Sequence, residues 1–61
     1  MTAKFIAVVE DVITGKQREV RDIPARNYEE ACELAMIHGR QENGGRAVAI
    51  AEVWRDEEEE K

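Results

Sequence analysis

The chain has no serine, and only one cysteine, one histidine and one proline among its 61 residues. The missing serine excludes a serine nucleophile. The two threonines, Thr2 and Thr14, fall near a terminus and in a turn-forming stretch, with no base at a recognisable spacing. One cysteine cannot form an internal disulfide, and Cys32 with His38 supplies too few ligands for a structural metal. Apolar runs are short as well. Phe5 to Val9 is closed by Glu10 and Asp11, far from the length of a signal-peptide core or the roughly 18 residues of a membrane span. A free cysteine without an export signal is the pattern of a reducing cytoplasm, and that location is the expectation.

Aromatic residues are equally sparse, with one each of Phe, Tyr and Trp. A single-stranded nucleic-acid platform needs aromatic faces beside a basic stripe. The basic residues Lys16, Arg18 and Arg21 are interleaved instead with Glu19 and Asp22, and no aromatic joins them. The net charge of −5 is also less than it looks. Asp56 to Glu60, followed by Lys61, contributes −4, leaving −1 on the preceding 55 residues. The expectation is a single domain over residues 1–55 and a disordered acidic tail over 56–61, since a terminal run of like charges repels itself.

What is present reads as strand, strand, helix, strand. Lys4 to Glu10 (KFIAVVE) is rich in β-branched residues, and both of its alternating sets begin apolar, which marks a central strand. A Thr-Gly pair, Thr14 and Gly15, supplies a turn. Lys16 to Ile23 (KQREVRDI) is charged and weakly alternating, as befits a sheet edge, and Pro24 should end it. Asn27 is placed as an N-cap with Glu30 three residues on. From Tyr28 the apolar positions Ala31, Cys32, Leu34, Ala35, Met36 and His38 gather on one side of a helix, while Ile37 stands on the polar side. Asn43-Gly44-Gly45 stops the helix, and Arg46 to Arg55 (RAVAIAEVWR) forms the third strand. The hairpin, the returning helix and the apolar first strand together predict an α+β fold, ββαβ, with a three-stranded antiparallel sheet in the order 2-1-3 and the helix on one face.

Cys32 and His38 sit together only on paper. Six residues apart on a helix, they diverge by about 120° around the axis, whereas cooperating pairs stand three or four apart. Cys32 reads as a small core residue and His38 as a boundary residue near the helix C-terminus, where the dipole favours it. With carboxylates spread over exposed positions, no catalytic, cofactor or metal site is expected.

One helix covers one sheet face, so the other must be accounted for. Phe5, Ala7 and Val9 with Ala47, Ala49, Ala51 and Val53 carry no charge, and their alanines would let the helix approach; they are assigned to the covered face. Ile6, Val8, Val48, Ile50 and Trp54 are then left on the open face, with Glu10 and Glu52 toward its rim. Contiguous apolar patches of more than a few hundred Å² are rare on soluble monomers, and tryptophan is the residue most enriched at binding hot spots. The sequence therefore predicts a non-enzymatic protein-binding module acting through these five residues as a homodimer. Two other readings stand beside it: a small phage- or bacterium-encoded inhibitor or adaptor docking on a larger host protein, and a weak RNA binder using the basic second strand.

Overall fold

The computed structural model describes residues 2–56. Three strands and one helix follow one another as β1 (Ala3–Asp11), β2 (Gln17–Ala25), α1 (Tyr28–Glu42) and β3 (Val48–Arg55). The sheet order is β2-β1-β3 with both neighbouring pairs antiparallel, as the composition of β1 requires. The most apolar strand takes the centre, where a strand on each edge flanks its side chains.

The core lies between α1 and one face of the sheet. Phe5, Ala7 and Val9 of β1, Val20, Ile23 and Ala25 of β2, Val48 of β3, and Ala31 and Ala35 of α1 form one buried cluster. Ala31, Ala35 and Gly39 are the three buried helix positions, a strip of small residues one turn apart. At Gly39 the approach is closest. A Cβ built there would stand 2.9 Å from Cγ2 of Val9, so glycine is what allows the helix to seat on the central strand. The Phe5 and Tyr28 rings close the other end of the helix in an edge-on contact, centroids 5.0 Å apart.

The caps explain where α1 begins and ends. The Asn27 side chain accepts from the Glu30 amide at 2.8 Å, and the Glu30 carboxylate accepts from the Arg26 amide at 2.7 Å, one residue upstream of the usual reciprocal partner. At the far end the Gly45 amide donates back to the Arg40 carbonyl at 2.9 Å around Gly44, whose φ of 69° suits a residue without a side chain.

Several boundaries differ from those the sequence predicts. β2 does not stop at Pro24 but runs through it to Ala25. Pro24 is tolerated because β2 is an edge strand, where a missing N–H need break no ladder bond. Asp56 is no part of a detached tail, since its amide donates to the Lys4 carbonyl at 2.8 Å and extends the β1–β3 ladder by one bond. The rest of the predicted acidic tail, 57–61, lies outside the described residues. Cys32 is half-buried and outside the core cluster, because it lies to one side of the Ala31–Ala35–Gly39 strip; His38 is exposed.

Both edge strands carry a β-bulge. Phe5 pairs with Ile23 and Ala7 with Val20, so Arg21 and Asp22 together oppose Ile6, with Asp22 at φ 58°. On the other side Val9 pairs with Ile50 and Val8 with Glu52, which makes Ala51 the extra residue of β3. That insertion overturns the predicted assignment of β3 to faces. Before the bulge Val48 and Ile50 point to the helix side; after it Val53 does. Val48 and Ile50 are therefore core and near-core residues, and Ala49, opposite Glu10, lies on the open side.

Candidate protein-binding surface

Of the five residues expected on the open sheet face, the structure places Ile6, Val8 and Trp54 there and turns Val48 and Ile50 to the helix. Ile6 and Trp54 are direct cross-strand partners. Ile6 is only 5% exposed although no element of the described residues packs on this face. Trp54 on one side and the Arg21–Asp22 bulge on the other are what flank it. Val8 and Trp54 are half-buried. The apolar centre is thus narrower than the sequence implies, a strip of three side chains.

Charge surrounds that strip. Cross-strand pairing puts Lys4 and Asp56 at one end, Glu19 and Glu52 to either side of Val8, and Glu10 with Gln17 at the other end. Gln17 Nε2 donates to Glu10 at 3.4 Å, and Arg21 donates to Glu19 at 3.1 Å. Glu19 draws the Arg21 guanidinium most strongly, Asp56 and Asp22 add to the attraction, and its pKa is raised accordingly. Arg21 is already engaged by carboxylates of its own chain, which removes one of the three cations an RNA-binding β2 would need.

A second apolar feature escaped the sequence. Met36 and Ile37 of α1, with Arg40, Ala47 and Val48, line a shallow concavity beside the start of β3. Met36 and Ile37 are exposed, as are Ala47, Ala49 and Ala51 along β3. Ile37, which helical periodicity isolates on the polar side, shares this concavity with Ala47 and Val48, residues 10 and 11 positions further along the chain. No periodicity argument within the helix could reveal that.

Among the described residues the one buried charge is Asp11, its side chain 2% exposed. Oδ1 accepts from the amides of Ile13 and Thr14 at 2.7 and 3.0 Å, which shapes the β1–β2 turn. Oδ2 accepts from Asn43 Nδ2 at 2.8 Å and from Arg46 Nε and Nη2 at 3.1 and 3.0 Å. The Thr14 amide, then Asn43 and the Ile13 amide, hold the carboxyl well below the ordinary carboxylate range, and Arg46 adds to this against the opposing effect of burial. Every lone pair faces a donor, so this carboxylate clamps turn, helix end and third strand together and is built for structure. Among the described residues, no cluster of three or more His, Cys, Asp or Glu is arranged to hold a metal ion, and no helix is long and apolar enough to cross a membrane.

No family model, curated protein or solved structure matches the chain.

Proposed function

We propose that this protein is a non-catalytic protein-binding module of the cytoplasm that presents its open sheet face to a protein partner and works as a homodimer. The observation that carries the reading is the half-buried Trp54 beside Ile6 and Val8, on a face that no other element of the described chain covers. An apolar anchor ringed by Lys4, Glu10, Glu19, Glu52 and Asp56 has the anatomy of a contact site, with a dry centre and a polar rim. The free, half-buried Cys32 supports a reducing compartment. The small, alanine-rich core supports self-association, because domains of this size commonly draw stability from a partner copy. An adaptor or inhibitor docking on a larger protein would use the same face.

The test places a photo-crosslinking side chain at Val8 and, as control, at Glu33 on the outer side of α1. The Val8 probe should give a defined adduct in extracts of the source cells. Excess wild-type chain should compete it away, and folded Trp54→Ala chain should not. Adducts from Glu33 alone, or competition by Trp54→Ala equal to that of wild type, would overturn the reading.

A further inference from the structure

We propose that the outer edge of β3 takes up an extended segment of another protein as a fourth strand, antiparallel to β3. The segment seats a large apolar side chain between Met36 and Val48 and sets a carboxylate beside Arg40 and Arg46. This surface is separate from the open-face strip of Ile6, Val8 and Trp54, and neither reading depends on the other.

The ladder shows which backbone groups of β3 face outward. The Val12 amide donates to the Ala47 carbonyl, whereas the Asp11 amide turns the other way, to the Lys16 carbonyl in front of β2. Val48 is the partner of Asp11, so the two form a non-hydrogen-bonded pair, and alternation puts Ile50, opposite Val9, in another. The N–H and C=O of Val48 and of Ile50 therefore point away from β1. Among the described residues no strand lies on that side. Such a row of donors and acceptors is a template for an added strand, and nothing from Val48 to Ala51 is charged or proline.

Register decides which side chains of the segment matter. A residue paired with Val48 or Ile50 shares the face of its partner, and that face is the helix side. The side chain opposite Val48 thus enters the concavity of Met36, Ile37, Arg40, Ala47 and Val48, whose volume is about 130 Å³. An apolar cavity of roughly 150 Å³ takes up benzene, so one phenylalanine-sized group fills this one. The next helix-side residue of the segment lies opposite Arg46.

Charge selects what stands there. Arg46 gives Nε and Nη2 to Asp11, yet its side chain remains about half exposed. Arg40 gives Nε to the Gly45 carbonyl at 3.3 Å, and among the described residues no carboxylate pairs with it. A carboxylate opposite Arg46 complements both cations. The other strand pairs of this sheet are antiparallel, the stronger arrangement per residue. In that direction the segment reads, from its N-terminus, apolar, any, large apolar, any, acidic. A second copy of β3 does not supply the pattern: Val48 and Ile50 alternate correctly, but the bulge at Ala51 turns Glu52 to the open side.

The experiment titrates a fluorescein-labelled peptide, Thr-Val-Thr-Phe-Thr-Glu-Glu, with the full chain and reads anisotropy. Binding should saturate. Exchanging the peptide Phe for Ser should raise Kd at least about tenfold. Exchanging both Glu for Gln should raise it about threefold at low salt and leave it unchanged at about 500 mM salt. A methyl on the Phe amide, which aims at Val48, should cost at least about tenfold, while a methyl on the preceding Thr amide, which points away, should be tolerated. In the protein, Met36→Glu at an exposed position should weaken binding at least about tenfold with the thermal midpoint retained. Arg40→Gln should match the effect of the Gln peptide and add nothing to it. No saturable binding up to about 1 mM peptide would overturn the proposal, as would equal tolerance of the two methyl groups or of Glu and Gln. Sedimentation of the wild type and of Met36→Glu covers the other occupant: self-association lost in the variant would give this edge to a second copy and likewise overturn the proposal. The peptide touches none of Ile6, Val8 and Trp54, so the Val8 crosslink still decides the open-face reading separately.

Discussion

The two edges of the sheet face the same hazard and answer it differently. β2 carries Arg18, Glu19, Arg21 and Asp22, lets Pro24 interrupt its row of donors, and is kinked by a bulge with a positive φ at Asp22. Each of these discourages pairing with another strand. β3 has a bulge too, but Ala51 needs no left-handed backbone there, and its first four residues are uncharged. The edges also differ in how they are tied. β2 follows β1 through a short loop, with Asp11 and Lys16 joined backbone to backbone at 2.9 Å. β3 arrives after a helix, and its approach is held by Asp11 through Asn43 and Arg46. One edge is locally anchored and guarded; the other is anchored from a distance and open.

The largest way to break this contrast is Asp11→Ala. It strips the Ile13 and Thr14 amides of their acceptor and leaves Arg46 without its carboxylate, so the midpoint of thermal unfolding should fall by more than about 10 °C. Hydrogen exchange should show β3 amides losing protection before those of β2. Equal loss at both edges would show that the clamp does not set the difference. The same carboxylate makes a pH prediction. Its folded pKa lies below the unfolded value of about 4, so its contribution is complete above that value and is lost as pH falls through it toward the lower folded value. Asp11→Asn should therefore flatten the acid limb of a stability profile below about pH 4, and an unchanged profile would refute the assignment.

A smaller effect is expected from Gly39→Ala, which touches neither edge. The new methyl gains helix propensity but meets Val9, itself nearly fully buried, at under 3 Å. A net loss of about 1–2 kcal/mol should follow, with protection falling alike in β2 and β3, and Val9→Ala in the same chain should recover part of it. Denaturant titration of the two single changes and the pair measures this; additive losses would contradict the contact. Smallest of all is Pro24→Thr. It restores one donor to a strand still guarded by its charges and bulge, so stability should move by no more than about 0.5 kcal/mol, and light scattering should reveal no new association. A dimer formed by this variant through β2 would show that the proline alone had been the guard.

How much of this was written in the sequence depends on whether the signal is local. The strand order was legible because the doubly apolar alternation of β1 leaves it only the central place, and the helix start because Asn27 and Glu30 act within one turn. Pro24 misled because its effect depends on which side of the strand has a neighbour. The faces of β3 were illegible because a bulge at Ala51 changes parity without changing composition; any of the alanines could have been the extra residue. Strict alternation along β3 puts Val48 and Ile50 on the open face, and the bulge alone reverses them. Asp11 looked like a residue that merely ends an apolar run, since its partners Asn43 and Arg46 lie 32 and 35 residues away.

That separation gives the two oxygens of Asp11 different places in time. Oδ1 is satisfied by amides two and three residues on, bonds that a forming hairpin can close in about 1–10 μs. Oδ2 waits for the helix to end and the third strand to dock. The half of the carboxylate that serves the turn is thus available to the folding nucleus, while the half that serves β3 acts mainly on the way out. Losing the distant partners should quicken unfolding far more than it slows folding. Changing this one side chain should therefore alter both how soon the hairpin forms and how long the finished sheet lasts.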